Sequence, residues 1–322
     1  MKTKAIELLQ STLRGAAQVM FQESALCGAL LLVGIFWGAF ATASMSIFYG
    51  ALVGLVLSTL TGMVIGRAKS DGRYGLWGFN GVLVGCALPT LLGDTPAMWF
   101  ALIFSAMLTV PLRDAINNLL RRAKINSLTF PFVLITWIIL LAAHAMNAFS
   151  HGAAAHISHA EPFLPNTFFS LVVVWLRGIS QVFLIDSWIT GGIFLLALLV
   201  SNRWAALWAG IGSAVSMILA ALLDTSALDI SHGLYSFSGV LTAIALGSAF
   251  YTPSWRSALW ALCGTIFTLF VQVAMDTLLS AWSLPTLTAP FCIATWLLLL
   301  PHLKLDSKES NHSSWHGKRG KA

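Results

Sequence analysis

The sequence predicts an all-α integral membrane protein of about ten transmembrane helices, several of them shorter than a full span, built as two inverted repeats. Three observations carry that prediction. The chain of 322 residues is 57% hydrophobic and 9% charged, with a mean hydropathy of +0.82, whereas an ordinary soluble domain carries about 25% charged residues. Its few charges fall in the gaps between long uncharged runs. Three sequence blocks of the first half return in the same order in the second. The first observation excludes a soluble enzyme, because so little polar surface cannot keep the chain in water. The second argues against a nucleic-acid partner: the net charge is +6, but the basic residues form no patch with interleaved aromatics.

The elements follow in order. Lys2 and Lys4 would suit a signal peptide, but Glu7 and Arg14 interrupt its apolar core, so a retained cytoplasmic lead-in is expected. Residues 24–66 contain no Asp, Glu, Lys or Arg, which leaves room for two spans hinged at 41–46. Uncharged runs at 74–93, 95–112 and 125–160 complete the first half, and runs at 187–202, 204–223, 233–255, 257–275 and 277–303 make up the second. Cys27, Cys86, Cys263 and Cys292 all lie inside apolar runs and read as small buried hydrophobes rather than a disulfide or metal framework. The chain divides into a first repeat at 1–150, an outer linker at 151–164, a second repeat at 165–304 and a polar cytoplasmic tail at 305–322. His144, His151, His156 and His159 cluster around the linker without nearby Cys or regular ligand spacing, so a solvated, pH-sensitive loop is expected there and no metal or cofactor.

Loop charges fix the orientation, because Lys and Arg are retained on the cytoplasmic side. With the N-terminus inside, Arg67, Lys69, Arg73, Arg113, Arg121, Arg122, Lys124, Arg203, Arg256 and the basic tail all thread to the inside. The opposite loops carry Asp94, Glu161, Asp224, Asp229 and Asp276. Arg177 alone departs from the pattern. Both termini are therefore expected in the cytoplasm. Each half then contains an odd number of spans, so repeats of one another must be inverted.

The repeat is visible in three blocks, each returning about 160 positions later. Leu13-Arg14-Gly15 with Gln18-Val19 and Ser24 returns as Leu176-Arg177-Gly178 with Gln181-Val182 and Ser187, which makes Arg177 the image of Arg14. Gly75-Leu76-Trp77-Gly78-Phe79-Asn80-Gly81-Val82-Leu83 returns as Gly233-Leu234-Tyr235-Ser236-Phe237-Ser238-Gly239-Val240-Leu241. Thr129-Phe130-Pro131-Phe132 with Thr136-Trp137 returns as Thr288-Ala289-Pro290-Phe291 with Thr295-Trp296. Inverted repeats place a transport site at their interface near the bilayer midplane, often on interrupted helices. Pro131 and Pro290 are expected to interrupt helices and free carbonyls of the preceding turn, which membrane depth tolerates only where they are buried or line a polar path.

The candidate lining is neutral: Gln18 and Gln181, Thr129 and Thr288, Asn80 and Ser238, flanked by Phe21, Phe79, Phe237, Leu83 and Leu241. Hydroxyl, amide and carbonyl groups in series suit a small, neutral, polar solute better than an ion, and paired rings select a flat one. Glu23 and Asp186 are repeat mates inside apolar sequence. They bond backbone N–H at helix ends, face the path, or couple an ion.

In combination these blocks resemble the urea transporter family over about residues 13–303. The resemblance implies a passive, channel-like urea path through each protomer of a homotrimer in the cytoplasmic (inner) membrane. It implies five spans and one tilted half-membrane helix per repeat, the half-membrane helices being the Gly75 block and its mate at Gly233. It puts phenyl slots at Phe21, Phe79 and Phe237, with Val19, Leu83, Val182 and Leu241 beside them and Leu184 as the mate of Phe21. Central selectivity falls to Thr129 and Thr288, and Gln18 and Gln181 contact urea. Glu23-Ser24 stands where the family usually has an Asn pair, and Ser238 where it often has Asn. The alternative is an ion-coupled carrier of another small polar solute, for which Glu23 and Asp186 are the motive. An ammonium path lacks the paired intramembrane His it would need, and no nucleophile–base pair or metal constellation at membrane depth marks an enzyme.

Overall fold

The computed structural model describes residues 2–66, 69–150 and 167–303, and the regular elements among them are helices. The linker expected at 151–164, with His151, His156 and His159, and the tail expected at 305–322 lie outside the described residues. The first half runs α1 (Lys2–Gln18), α2 (Ala25–Ala41), α3 (Met45–Ile65), a short α4 (Lys69–Arg73), α5 (Phe79–Leu92), α6 (Pro96–Leu120), α7 (Phe130–His144) and a short α8 (Asn147–Ser150). The second half runs α9 (Phe168–Ser180), α10 (Trp188–Ser201), α11 (Arg203–Leu222), a short α12 (Ala227–Ser231), α13 (Phe237–Ile244, continuing as a π turn over Ala245–Ala249), α14 (Trp255–Ser280) and α15 (Ala289–Leu299).

Among the described residues, four helices are long and apolar enough to cross a membrane alone: α3, α6 with its 3-10 extension, α11 and α14. The 3-10-extended α9 and α10 form a further pair bent by 74°, and α2, α5, α7, α13 and α15 are shorter apolar helices. Large side chains such as Phe40 of α2, Phe100 and Phe104 of α6, and Phe270 and Leu278 of α14 stand exposed. Such a belt is stable in lipid and not in water. The chain is a multi-pass membrane protein.

Helix ends are set by local chemistry. The uncharged run at 24–66 divides where a hinge was expected, with α2 ending before Thr42 and α3 opening after Ser44. Ser24 caps α2 through Cys27 N, and Ser187 caps α10 through Thr190 N. Thr95 caps α6 and Ser254 caps α14 in the same way. Each such cap is worth about 1 kcal/mol by satisfying an orphan N–H of the first turn.

The packing depends on close backbone approach. α3 crosses α5 at Gly50 and Gly54, and a Cβ on Gly54 would lie 2.2 Å from Gly81 O; small residues let transmembrane helices pack by contact alone. Gly75 and Gly233 adopt φ of +77° and +72° and sit against the backbone of α1 and α9, where a Cβ would come within 2.5 Å of Arg14 C and 2.4 Å of Gly178 N. Between the halves, α2 packs on α10, and Thr190 Oγ1 donates to Gly34 O at 2.9 Å.

Candidate functional site

α1 and α9 both end in a tight turn that continues into a left-handed residue, Phe21 (φ 61°) and Leu184 (φ 58°). A left-handed non-glycine residue costs roughly 1–2 kcal/mol, so both turns are held by their surroundings. Gln18 Nε2 donates to Tyr74 O at 2.8 Å, and Gln181 Nε2 donates to His232 O at 2.9 Å. One turn earlier, Arg14 Nη1 donates to Arg73 O and Arg177 Nη1 to Ser231 O, at 2.7 and 2.9 Å. Each Gln thus ties the end of its helix to the carbonyl just before the Gly75 or Gly233 turn, and α5 and α13 begin shortly after, at Phe79 and Phe237.

α7 and α15 begin at the third block. Pro131 and Pro290 occupy the first turn of these helices, which corrects the expectation that they interrupt a helix. In the first turn the missing N–H has no intrahelical partner to lose, so proline starts a helix there without breaking one. One carbonyl of each non-helical lead-in is partnered across the halves. Trp137 Nε1 donates to Pro285 O and Trp296 Nε1 donates to Asn126 O, each at 2.8 Å. Asn126 and Pro285 are partly buried, so each of these bonds satisfies a carbonyl that has limited access to water, a net gain of about 1 kcal/mol.

This reciprocal clasp brings the two threonines together. Thr129 Oγ1 and Thr288 Oγ1 lie 2.6 Å apart in a hydrogen bond, with the residues 3% and 1% exposed. Cys292 Sγ approaches Thr129 Oγ1 at 3.3 Å. Asn80 Oδ1 accepts from Phe132 N at 3.1 Å, which pins α5 to the start of α7. Ser238 at the matching place in α13 has no partner for its hydroxyl.

A cavity of about 470 Å³ opens on one side of the threonine pair and has Thr288 in its wall. Of the residues expected at the site, it gathers Gln181, Val182, Leu184, Phe237 and Thr288. Gln18, Val19, Phe79, Leu83, Thr129 and Leu241 are buried in the packed interior and are not among its walls. Phe21 packs edge-on against Phe250 and Phe291, at centroid distances of 5.6 and 6.0 Å. Phe250 carries no repeat signature, and sequence reasoning missed it.

Charge reasoning missed Asp229 and Asp276 in the wall, while Asp186, for which facing the path was one reading, does line it. Asp186, Asp229 and Asp276 all line the cavity, together with Gln272 and Tyr235. Asp186 is held from two sides: Arg177 Nε lies 3.0 Å from its Oδ1, and His232 Nδ1 bonds its Oδ2. Arg177, which broke the loop-charge pattern, therefore has a partner. Glu23, the mate of Asp186, is exposed at the start of α2. Among the described residues no group of three or more His, Cys, Asp or Glu side chains is arranged to hold a metal ion.

The family model described as "Urea transporter" matches residues 9–303. The chain belongs to the urea transporter family. It is 31% identical over 323 residues to "Urea transporter 1" of Ovis aries, an alignment covering 93% of this chain and 78% of the relative. It is 32% identical over 314 residues to "Urea transporter 1" of Mus musculus, with the same coverage. This is a family of transporters and not of enzymes.

Proposed function

We propose that this urea transporter family member carries urea passively, by a path that runs from the cavity beside Gln181 and Phe237, through Thr129 and Thr288, to the region of Gln18 and Phe79. The observation that carries the reading is the threonine pair. Its hydroxyls are the polar groups at the point where the halves meet, and they bond each other at 2.6 Å. A neutral solute with amide donors and a carbonyl acceptor replaces that bond with bonds of its own. An ion would meet no counter-charge there and would stay outside.

Five spans and a half-membrane helix per half, in inverted orientation, are part of the same reading. The paired values of φ at Phe21 and Leu184, at Gly75 and Gly233, and at Leu128 and Leu287 support it. So do the paired caps and the matched Gln-to-carbonyl bonds. The loop charges support cytoplasmic termini, and the family resemblance supports a homotrimer in the cytoplasmic membrane. Val19, Leu83, Val182, Leu184 and Leu241 then supply the apolar flanks of the path, with Phe21, Phe79 and Phe237 as its flat walls.

A carrier driven by an ion gradient is the competing reading, and Asp186 motivates it, because a carboxylate bonded to a histidine stands in the cavity wall. Stopped-flow light scattering on proteoliposomes separates the two. Passive conduction gives fast urea entry that only equilibrates, whatever the proton or sodium gradient, and slow glycerol entry. Accumulation above equilibrium under a gradient would replace the channel with the carrier.

A further inference from the structure

The two halves diverge at an arginine and its carboxylate partners. In the first half, Arg113 Nη2 donates to Asp71 Oδ2 at 2.8 Å and its Nη1 to Asp114 Oδ1 at 3.4 Å, and Arg113 is 6% exposed. Asp71 precedes the Gly75 turn by the same four positions as Asp229 precedes Gly233. The matched Gln18 and Gln181 bonds, and those of Arg14 and Arg177, hold α4 and α12 in that register. α6 and α14 start from matched caps, Thr95 and Ser254, and in that register Arg113 corresponds to Gln272 and Asn117 to Asp276. Asn117 Oδ1 accepts from Ser127 N, and the Thr286 hydroxyl bonds Asp276 at the corresponding place.

The second half therefore keeps the carboxylate of Asp71 as Asp229, carries its second one at Asp276 whereas the first half has Asp114 beside Arg113, and puts an amide where the guanidinium was. Asp229, Asp276 and Gln272 face one cavity. Among the described residues no Lys, Arg or His pairs with Asp229 or Asp276, while Asp186 is already bound to Arg177 and His232. Gln272 is 3% exposed; its Nε2 donates to Leu234 O at 2.6 Å, and its Oε1 has no hydrogen-bond partner.

We propose that this cavity binds a small planar organic cation of the guanidinium type, with Asp229 and Asp276 as counter-charge and Gln272 Oε1 as acceptor, and that the bound cation obstructs urea. The ligand class follows from the other half of the molecule, where a guanidinium is what Asp71 holds. A planar cation with N–H donors on every edge matches carboxylate geometry. It is also close to urea in size and shape, so it fits a cavity leading to a urea path. It stops at Thr129 and Thr288, whose neutral hydroxyls offer no compensation for its charge. The obstruction rests on the urea-path reading above; the binding does not.

The test is calorimetric titration of the purified, detergent-solubilised protein with millimolar guanidinium chloride, against choline chloride at equal ionic strength, alongside urea flux in proteoliposomes with guanidinium on both sides. Saturable guanidinium binding without choline binding is expected. Asp229→Asn should weaken it by at least about tenfold, the loss of one close charge pairing of about 1.4 kcal/mol. Gln272→Arg, which sets a tethered guanidinium at the place of Arg113, should abolish it. If that variant fails to fold, Asp229→Asn and Asp276→Asn decide. Equal binding of choline, no binding to the wild type, or undiminished binding by Asp229→Asn overturns the site. Guanidinium binding without urea flux leaves the site standing and removes the transport reading; urea flux without guanidinium binding does the reverse. Binding that leaves urea flux unchanged overturns the obstruction.

Discussion

Replacing Thr288 by Val removes one hydroxyl where the halves meet and keeps the side-chain volume. Two costs follow, and they are separable. In the resting protein, Thr129 loses its 2.6 Å partner and keeps the weak thiol contact of Cys292 at 3.3 Å. A neutral hydrogen bond contributes about 1 kcal/mol net, which lowers the melting temperature by about 1–2 °C for a chain of this size. In transit, urea loses one of the groups that replace its hydration at the narrowest polar point. The same bond energy raises that barrier by about 1–1.4 kcal/mol and slows flux roughly five- to tenfold. Thr288→Ser keeps the hydroxyl and restores most of the flux. The double variant Thr129→Val, Thr288→Val separates the two effects further. Its stability should at least match that of either single variant, because each single variant leaves one buried hydroxyl without its partner and the double variant leaves none, while its flux falls again as the second hydroxyl goes. Stopped-flow scattering and thermal melts of the same preparations read both quantities. A Thr288→Val protein that melts like the double variant yet conducts urea within twofold of wild type would remove these threonines from the path.

Other expectations follow from contacts described above. Arg113→Gln leaves Asp71 with its charge and no cation in a mostly buried place, and should cost about 3 kcal/mol, read as a lowered melting temperature in detergent. Gly233→Ala puts a methyl 2.4 Å from Gly178 N at a φ of +72°, so it should destabilise by more than about 1–2 kcal/mol; a neutral melt would show that the turn is not so constrained. Trp296→Phe keeps an aromatic ring and removes the bond to the partly buried Asn126 O, costing about 1 kcal/mol for the lost bond, read in a thermal melt. Trp137→Phe should cost the same at Pro285.

The parts of the site legible in the sequence were those with an image in the other half. Gln18 and Gln181, Thr129 and Thr288, and the two glycine turns stand out because identical chemistry recurs at constant spacing, and a matched backbone needs matched residues. Trp137 and Trp296 belonged to the same blocks, but nothing in a sequence says that an indole reaches across to the opposite lead-in. Features that depend on one half alone were not legible. Phe250 reaches Phe21 through the end of a π turn, which has no hydrophobic period to reveal it. Asp229 and Asp276 read as loop charges because charge counting sorts residues by side of the membrane and not by whether they wall a cavity. Arg113 was read as an inner loop charge on the same ground, and it is buried against Asp71. The prolines were misassigned because an isolated Pro in an apolar run looks the same whether it breaks a helix or begins one. The long uncharged run at 125–160 hid the break between α7 and α8, since it contains no Asp, Glu, Lys or Arg to mark it and only His144, the last residue of α7, stands there.

The crossed indole bonds set a timetable for biogenesis. A polytopic chain leaves the ribosome from its N-terminus, and Trp296 and Thr288 belong to α15 and its lead-in, which are made after every other helix described above. Until then the carbonyl of Asn126 and the hydroxyl of Thr129 have been in the bilayer without the partners they take in the finished protein. The first half is thus inserted long before its centre can close, and it must wait in a looser arrangement, or with a helper masking those groups, while nearly the whole second half is synthesised. Chains truncated before α15 should consequently be substrates for membrane quality control even though every helix of their first half is complete.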